Sequence, residues 1–153
     1  MVAINRLREF LAETKAEISE INYTELVADD SELEKFMQDR SVSDNTLLFG
    51  VLPEFQLRGS EDQVKWNNQL LFFIVEKTND KNLTHDQYLD VFARTQAVVK
   101  KFVEGIIEKK LNQELMGCHF LREIDESSID VSLVWRKAQC NGWLITFDLL
   151  SFA

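Results

Sequence analysis

The stretch VKWNNQLLFFIVEK, residues 64–77, decides the fold. In an extended chain, successive side chains point to opposite faces. Val64, Trp66, Leu70, Phe72 and Ile74 then share one face, and Leu71, Phe73 and Val75 share the other. From Leu70 onward both faces are apolar, so the strand belongs at the centre of a sheet with material covering each side. Asn67, Asn68 and Gln69 put amides in mid-strand, where they need hydrogen-bond partners, an exposed edge or a subunit contact.

Downstream, Thr84 and Gln87 have the spacing of a capping box, with Leu83 placed to staple against Tyr88. Phe92, Thr95, Val99, Phe102 and Ile106 follow at steps of three and four, which predicts a long amphipathic helix. Asp86 and Asp90 near its start and Lys109 and Lys110 near its end suit the helix dipole. Met116-Gly117 is the expected end, with glycine as the left-handed cap. A helix of about 31 residues spans roughly 46 Å. A compact domain of this length is only about 38 Å across. The helix is therefore expected to kink near Gly105 or to project.

Upstream, Ile4, Leu7, Leu11 and Ile18, with Phe10 alongside, predict a helix over 2–20. A weak strand signal covers 21–28. Ser31 and Glu34 predict the capping box of a short helix burying Leu33, Phe36 and Met37. Residues 46–52 read as a strand stopped by Pro53, with Phe55 and Leu57 extending it after a bend and a turn at 59–62.

The C-terminal part reads as β. Residues 118–124 form an expected strand, 125–128 an acidic turn, and 129–138 and 143–152 a hairpin about Asn141-Gly142, a strong type I′ signal. That turn would set Cys140 opposite Trp143, Ala138 opposite Ile145 and Leu133 opposite Leu150. The apolar set then changes sides along the hairpin, which predicts a β-bulge near Asp148-Leu149 or burial of both faces. The whole reads as one α+β domain over 1–153. It has a mostly antiparallel sheet of about five strands, an N-terminal helix, a short helix, and one long helix packed on the sheet.

With 17 basic and 26 acidic residues, the net charge is −9, which repels phosphates and disfavours a nucleic-acid partner. No apolar run is long enough to span a membrane. Arg6, Arg8 and Glu9 interrupt any signal-peptide core, so the expected location is cytoplasmic, or particle-associated after cytoplasmic synthesis. Cys118 and Cys140 are then expected as reduced, buried thiols.

Catalytic chemistry finds little support. Cys118 and His119 are adjacent, so on a strand they point to opposite faces and share no site. His85 falls at the first helical position after the cap. Glu123, Asp125, Glu126 and Asp130 lack the ligand spacing of a calcium loop and read as a solvated turn. No phosphate loop, nucleophile elbow or zinc pair occurs, so no cofactor and no metal is expected.

Aromatic residues suggest contacts instead. Trp66, Trp135 and Trp143 lie on expected strands, and tryptophan is enriched at interface hot spots. Together with Asn68 they are the candidate interface residues. The expected function is a non-enzymatic structural or interaction protein, a subunit of a homo-oligomer or larger assembly with protein partners. A long helix across a mostly antiparallel sheet is similar in layout to ring-forming tail-terminator and connector proteins of phage-like particles. The alternative is a small apolar-ligand-binding domain, or an enzyme with few motifs. Its pocket would lie between sheet and long helix, lined by Trp66, Phe72, Trp135 and Phe147.

Overall fold

A computed structural model describes residues 1–60, 63–112 and 119–152. Among these residues three α-helices, α1 (Ile4–Glu17), α2 (Asp30–Gln38) and α3 (His85–Leu111), accompany five strands. The strands are β1 (Tyr23–Val27), β2 (Leu47–Arg58), β3 (Lys65–Lys77), β4 (Asp130–Lys137) and β5 (Cys140–Phe152). They form one sheet in the order β1-β2-β3-β5-β4. Only β1 and β2 run parallel; the other pairs are antiparallel. This is the α+β fold expected from the chain, with the 64–77 stretch at its centre.

Both faces of β3 are indeed apolar, and different elements cover them. Leu70, Phe72 and Ile74 join Ile145, Phe147 and Leu149 of β5 on one face. There they meet Leu7, Phe10 and Leu11 of α1 and Val98, Val99, Phe102 and Ile106 of α3. On the other face, Phe73 and Val75 join Leu47 and Phe49, and Leu33 and Met37 of α2 pack over them. A short helix thus covers the second face at one end of the sheet. Lys77 closes that end: its buried ammonium donates to the carbonyls of Met37 (2.9 Å) and Ala138 (3.0 Å).

Local signals set the element ends. Thr84 and Gln87 form the capping box reciprocally, at 3.3 and 2.8 Å. Replacing Thr84 by alanine is expected to cost about 1 kcal/mol, read as a lower thermal midpoint. An unchanged midpoint would mean that this cap does not hold the helix start.

Several boundaries differ from expectation. Helix α3 ends at Leu111 with Asn112 as its cap, so it is four residues shorter than projected. It continues unbroken through Gly105. The expected glycine cap at Met116-Gly117 lies outside the described residues. For α2 the cap is Asp29, which accepts from the Glu32 N–H at 2.9 Å, while the Glu32 carboxylate accepts from the Ala28 N–H. The cap therefore lies two residues before Ser31, because Asp29 already presents a carboxylate at the right spacing, and no reciprocal box forms. Residues 119–123 form a 3₁₀ stretch under α3 rather than a strand, and only Ile124 makes a bridge, to Leu149.

The hairpin is also shifted. Lys137 pairs with Cys140, so the turn is Ala138-Gln139, and Asn141-Gly142 lie inside β5. With this register Trp143, Ile145, Phe147 and Leu149 share one face, while Cys140 and Leu144 of β5 and Val134 of β4 pack on the other. The hairpin is thus buried on both faces over part of its length, the second of the two expected outcomes. The pairing of β3 with β5 runs without a shift past Asp148-Leu149. The irregularity expected there falls in β4, between Val134 and Lys137.

Candidate functional site

The surface that invites explanation is built on β4 and the N-terminal half of α3. Strand β4 ends the sheet order, so its outer edge has no neighbouring strand. Trp135 and Arg136 together occupy the ladder position opposite Asn141, which makes a bulge. Arg136, Ala138 and Gln139 adopt positive φ values of 53°, 46° and 60°. Left-handed backbone at Ala138-Gln139 matches the two-residue hairpin turn. For side chains other than glycine it costs roughly 1 kcal/mol or more each. Gln139 is exposed, so its replacement by glycine is expected to stabilise the fold by about 1 kcal/mol. A higher urea midpoint with an unchanged m-value is the expected readout; a lower midpoint would place the turn elsewhere.

A buried polar network holds this strained segment. The Asn141 side-chain oxygen accepts from the Arg136 N–H at 2.7 Å, and its amide donates to Thr78 Oγ1 at 2.7 Å. Thr78 in turn reaches Asp80 at 2.6 Å, and the Tyr88 hydroxyl donates to Asp80 at 3.1 Å. Lys137 bonds to Asp30 (2.8 Å) and Glu34 (3.3 Å) of α2. Burial pulls the Lys137 pKa down, but these two carboxylates outweigh it and hold the ammonium above its ordinary value.

The bulge swings Trp135 over α3. Its ring stacks on Phe92 at 5.8 Å and lies 4.7 Å from Tyr88, while the Arg136 guanidinium sits over Trp135 at 5.1 Å. Trp143 donates its indole N–H to the Phe92 carbonyl at 3.2 Å. Despite these contacts an apolar row stays open to solvent: Val131 is 40% exposed, Leu133 55% and Trp135 48%. Leu89, beside Tyr88 on α3, is 51% exposed.

The four candidate interface residues fall at different places. Trp135 lies in the exposed row. Trp143 is half-buried beneath it. Trp66 is half-buried at the far end of β3, opposite Ser151, so Trp66 and Trp135 do not meet. Asn68 is fully enclosed: it accepts from the Val2 N–H (2.9 Å) and donates to the Leu149 carbonyl (2.7 Å), which ties the N-terminus to β5. Its amide is satisfied inside the chain, which answers the need for partners at Asn68, whereas the buried side-chain oxygen of Asn67 has no hydrogen-bond partner among the described residues. Val131, Leu133 and Leu89 were not among the expected contact residues. The alternation in VSLVW, residues 131–135, was the available signal.

Reactive chemistry is sparse in the described residues. The Cys140 thiol is fully buried, and desolvation pushes its pKa up to about 11, so it is no nucleophile near neutral pH. Cys118 lies outside the described residues. Among those described, no three His, Cys, Asp or Glu side chains group as metal ligands would. The space between α3 and the sheet is filled by Phe10, Phe72, Phe102 and Phe147, with ring centroids 5.3 to 6.0 Å apart. Phe72 and Phe147 therefore belong to packed core.

Two open clefts lie elsewhere. One, of about 420 Å³, runs between α1 and α3 beside Gly105. In it Lys109 pairs with Glu17 at 2.7 Å and lies over the Phe10 ring. The other, of about 380 Å³, is on the opposite face of the sheet, where Asn67 donates to Asp148 at 3.3 Å. Among the described residues no helix is long and apolar enough to cross a membrane.

The fold and this surface define an α+β domain with an uncovered apolar sheet edge. No protein-family model, no curated protein and no solved structure matches the chain.

Proposed function

We propose that this chain is a non-enzymatic structural subunit that works by protein–protein association through β4 and the adjoining face of α3. The observation that carries this reading is the exposed row Val131, Leu133 and Trp135 on a strand that, among the described residues, is the last of the sheet. An open strand edge presents unpaired N–H and C=O groups, and natural proteins usually blunt it with charge or proline. Here residues 131–135 carry neither, and the bulge, another such device, falls only at the end of the row. Such a segment left bare is an aggregation hazard; covered by a partner, it is an interface.

The packed helix–sheet interface also supports this reading over a ligand-binding one, since Phe72 and Phe147, which would line a pocket there, fill the space together with Phe102. The test is the mass in solution, measured by light scattering over a wide concentration range. Association into a defined particle larger than one chain is the expected result. A strict monomer at the highest concentration reached, with its apolar edge simply solvated, would defeat the proposal.

A further inference from the structure

We infer that the partner at this edge is a second copy of the same chain, with β4 pairing antiparallel to its counterpart about a two-fold axis through Leu133. The inference rests on the association reading above and adds the partner and the register. Its basis is a symmetry in the ladder. Along β5, strand β4 places Asp130, Val131 and Ser132 before Leu133, then Val134, the Trp135–Arg136 bulge and Lys137 after it. Leu133 is thus the middle position, with three on either side.

Turning a second copy about Leu133 sets Asp130 against Lys137 at both ends. It sets Val131 against Trp135, and Leu133 against itself. Faces match as well as positions. Asp130 and Lys137 pair with Thr146 and Cys140 of β5, which lie on the same side of the sheet, whereas Val131 and Leu133 pair with Ile145 and Trp143 on the other. Acid therefore meets base on one side of the seam, where Asp130 of the other copy joins Asp30 and Glu34 of the same chain around Lys137, and apolar meets apolar on the other. Opposite charges and aromatic–aliphatic pairs directly across a ladder are the stabilising combinations. A foreign strand would need to supply this pattern by chance; a second copy carries it already.

The bulge shapes this pairing. It interrupts the ladder between Val134 and Lys137, so the uncharged positions 131–135 form the middle of the seam and Asp130 and Lys137 its two ends. A two-fold contact uses one patch on both partners and closes at two copies. A ring of the tail-terminator kind would need a second, different patch. The seam is short for a permanent interface, so the dimer is expected to dissociate on dilution.

Directly opposed residues of an antiparallel pair have Cα atoms about 4.5–5.5 Å apart, within disulfide reach. The test replaces Cys118 by serine throughout, so that Leu133→Cys introduces the one new thiol outside the core. Mild oxidation of this variant is expected to give a covalent dimer. Ser132→Cys, which faces Val134 of the other copy rather than itself, is expected to stay uncrosslinked. Leu133→Lys sets like charges against each other and is expected to raise the dimer dissociation constant at least tenfold. The far-UV spectrum is expected to stay unchanged, as is the thermal midpoint at dilutions where both proteins are monomeric, because Leu133 is exposed.

Equal crosslinking at positions 132 and 133, or none at 133, would overturn the register. An assembly whose mass Leu133→Lys leaves unchanged would overturn this seam while the association reading stands. A native monomer at every concentration would overturn both.

Discussion

Replacing Gly142 even by alanine is expected to cost about 3 kcal/mol or more, a large share of the stability of an ordinary domain. The added Cβ would stand 2.2 Å from the Ile74 carbonyl oxygen and 2.8 Å from the Val75 Cα, both main-chain atoms of the central strand. Main chain cannot rotate aside as a side chain would, so β5 must move off β3. Gly142 also has φ at +157°, which L side chains rarely adopt. The measurement is the urea midpoint of the variant, or its far-UV spectrum if too little folds. The size of the effect separates two hairpins. With the turn at Asn141-Gly142, alanine would strain one solvated turn residue and cost about 1 kcal/mol. A loss that small would mean β5 does not run against β3 as described.

Phe72→Ala is expected to destabilise the protein by about 4 kcal/mol, within the range for emptying a buried phenylalanine site. Phe72 is 2% exposed and makes ring contacts with Phe10 of α1, Phe102 of α3 and Phe147 of β5. It is where both helices and both central strands meet, and its loss leaves a cavity that none of the three can fill alone. The matched control is Phe55→Ala on β2, 38% exposed, which should cost less than about 1 kcal/mol. Comparable losses at the two positions would show that α1 and α3 do not close over this face.

Much of the architecture was legible because its signals are local. The uninterrupted apolar run 70–75 announces a strand covered on both sides, and Thr84 with Gln87 announces a helix start. Where local signals misled, a second use for the same residue type explains it. Asn141-Gly142 has the composition of a turn, yet the amide is needed to hold the bulge and the glycine to let β3 approach. The turn is left to Ala138 and Gln139, which accept left-handed backbone because the surrounding ladder and network enforce it. The apolar surplus on the second face of β3 suggested surface for partners, but Leu33 and Met37 of α2 cover part of it. The uncovered apolar row lies on β4 instead, and of the residues expected at an interface Trp135 alone belongs to it.

Periodicity, capping and charge balance are properties of neighbours in the chain. They sufficed for the types of most elements and for the central place of 64–77. They could not say which strand of the C-terminal hairpin turns toward β3. Either strand has apolar residues enough to pair there. The choice of β5 comes from contacts far apart in sequence: the glycine at 142 that admits Ile74 and Val75, and the alternate residues 145, 147 and 149 that complete the face beneath α1 and α3. Once β5 takes the inner place, β4 is left as the edge, and Val131, Leu133 and Trp135 stay partly open to water because no further strand of the described residues lies beside them.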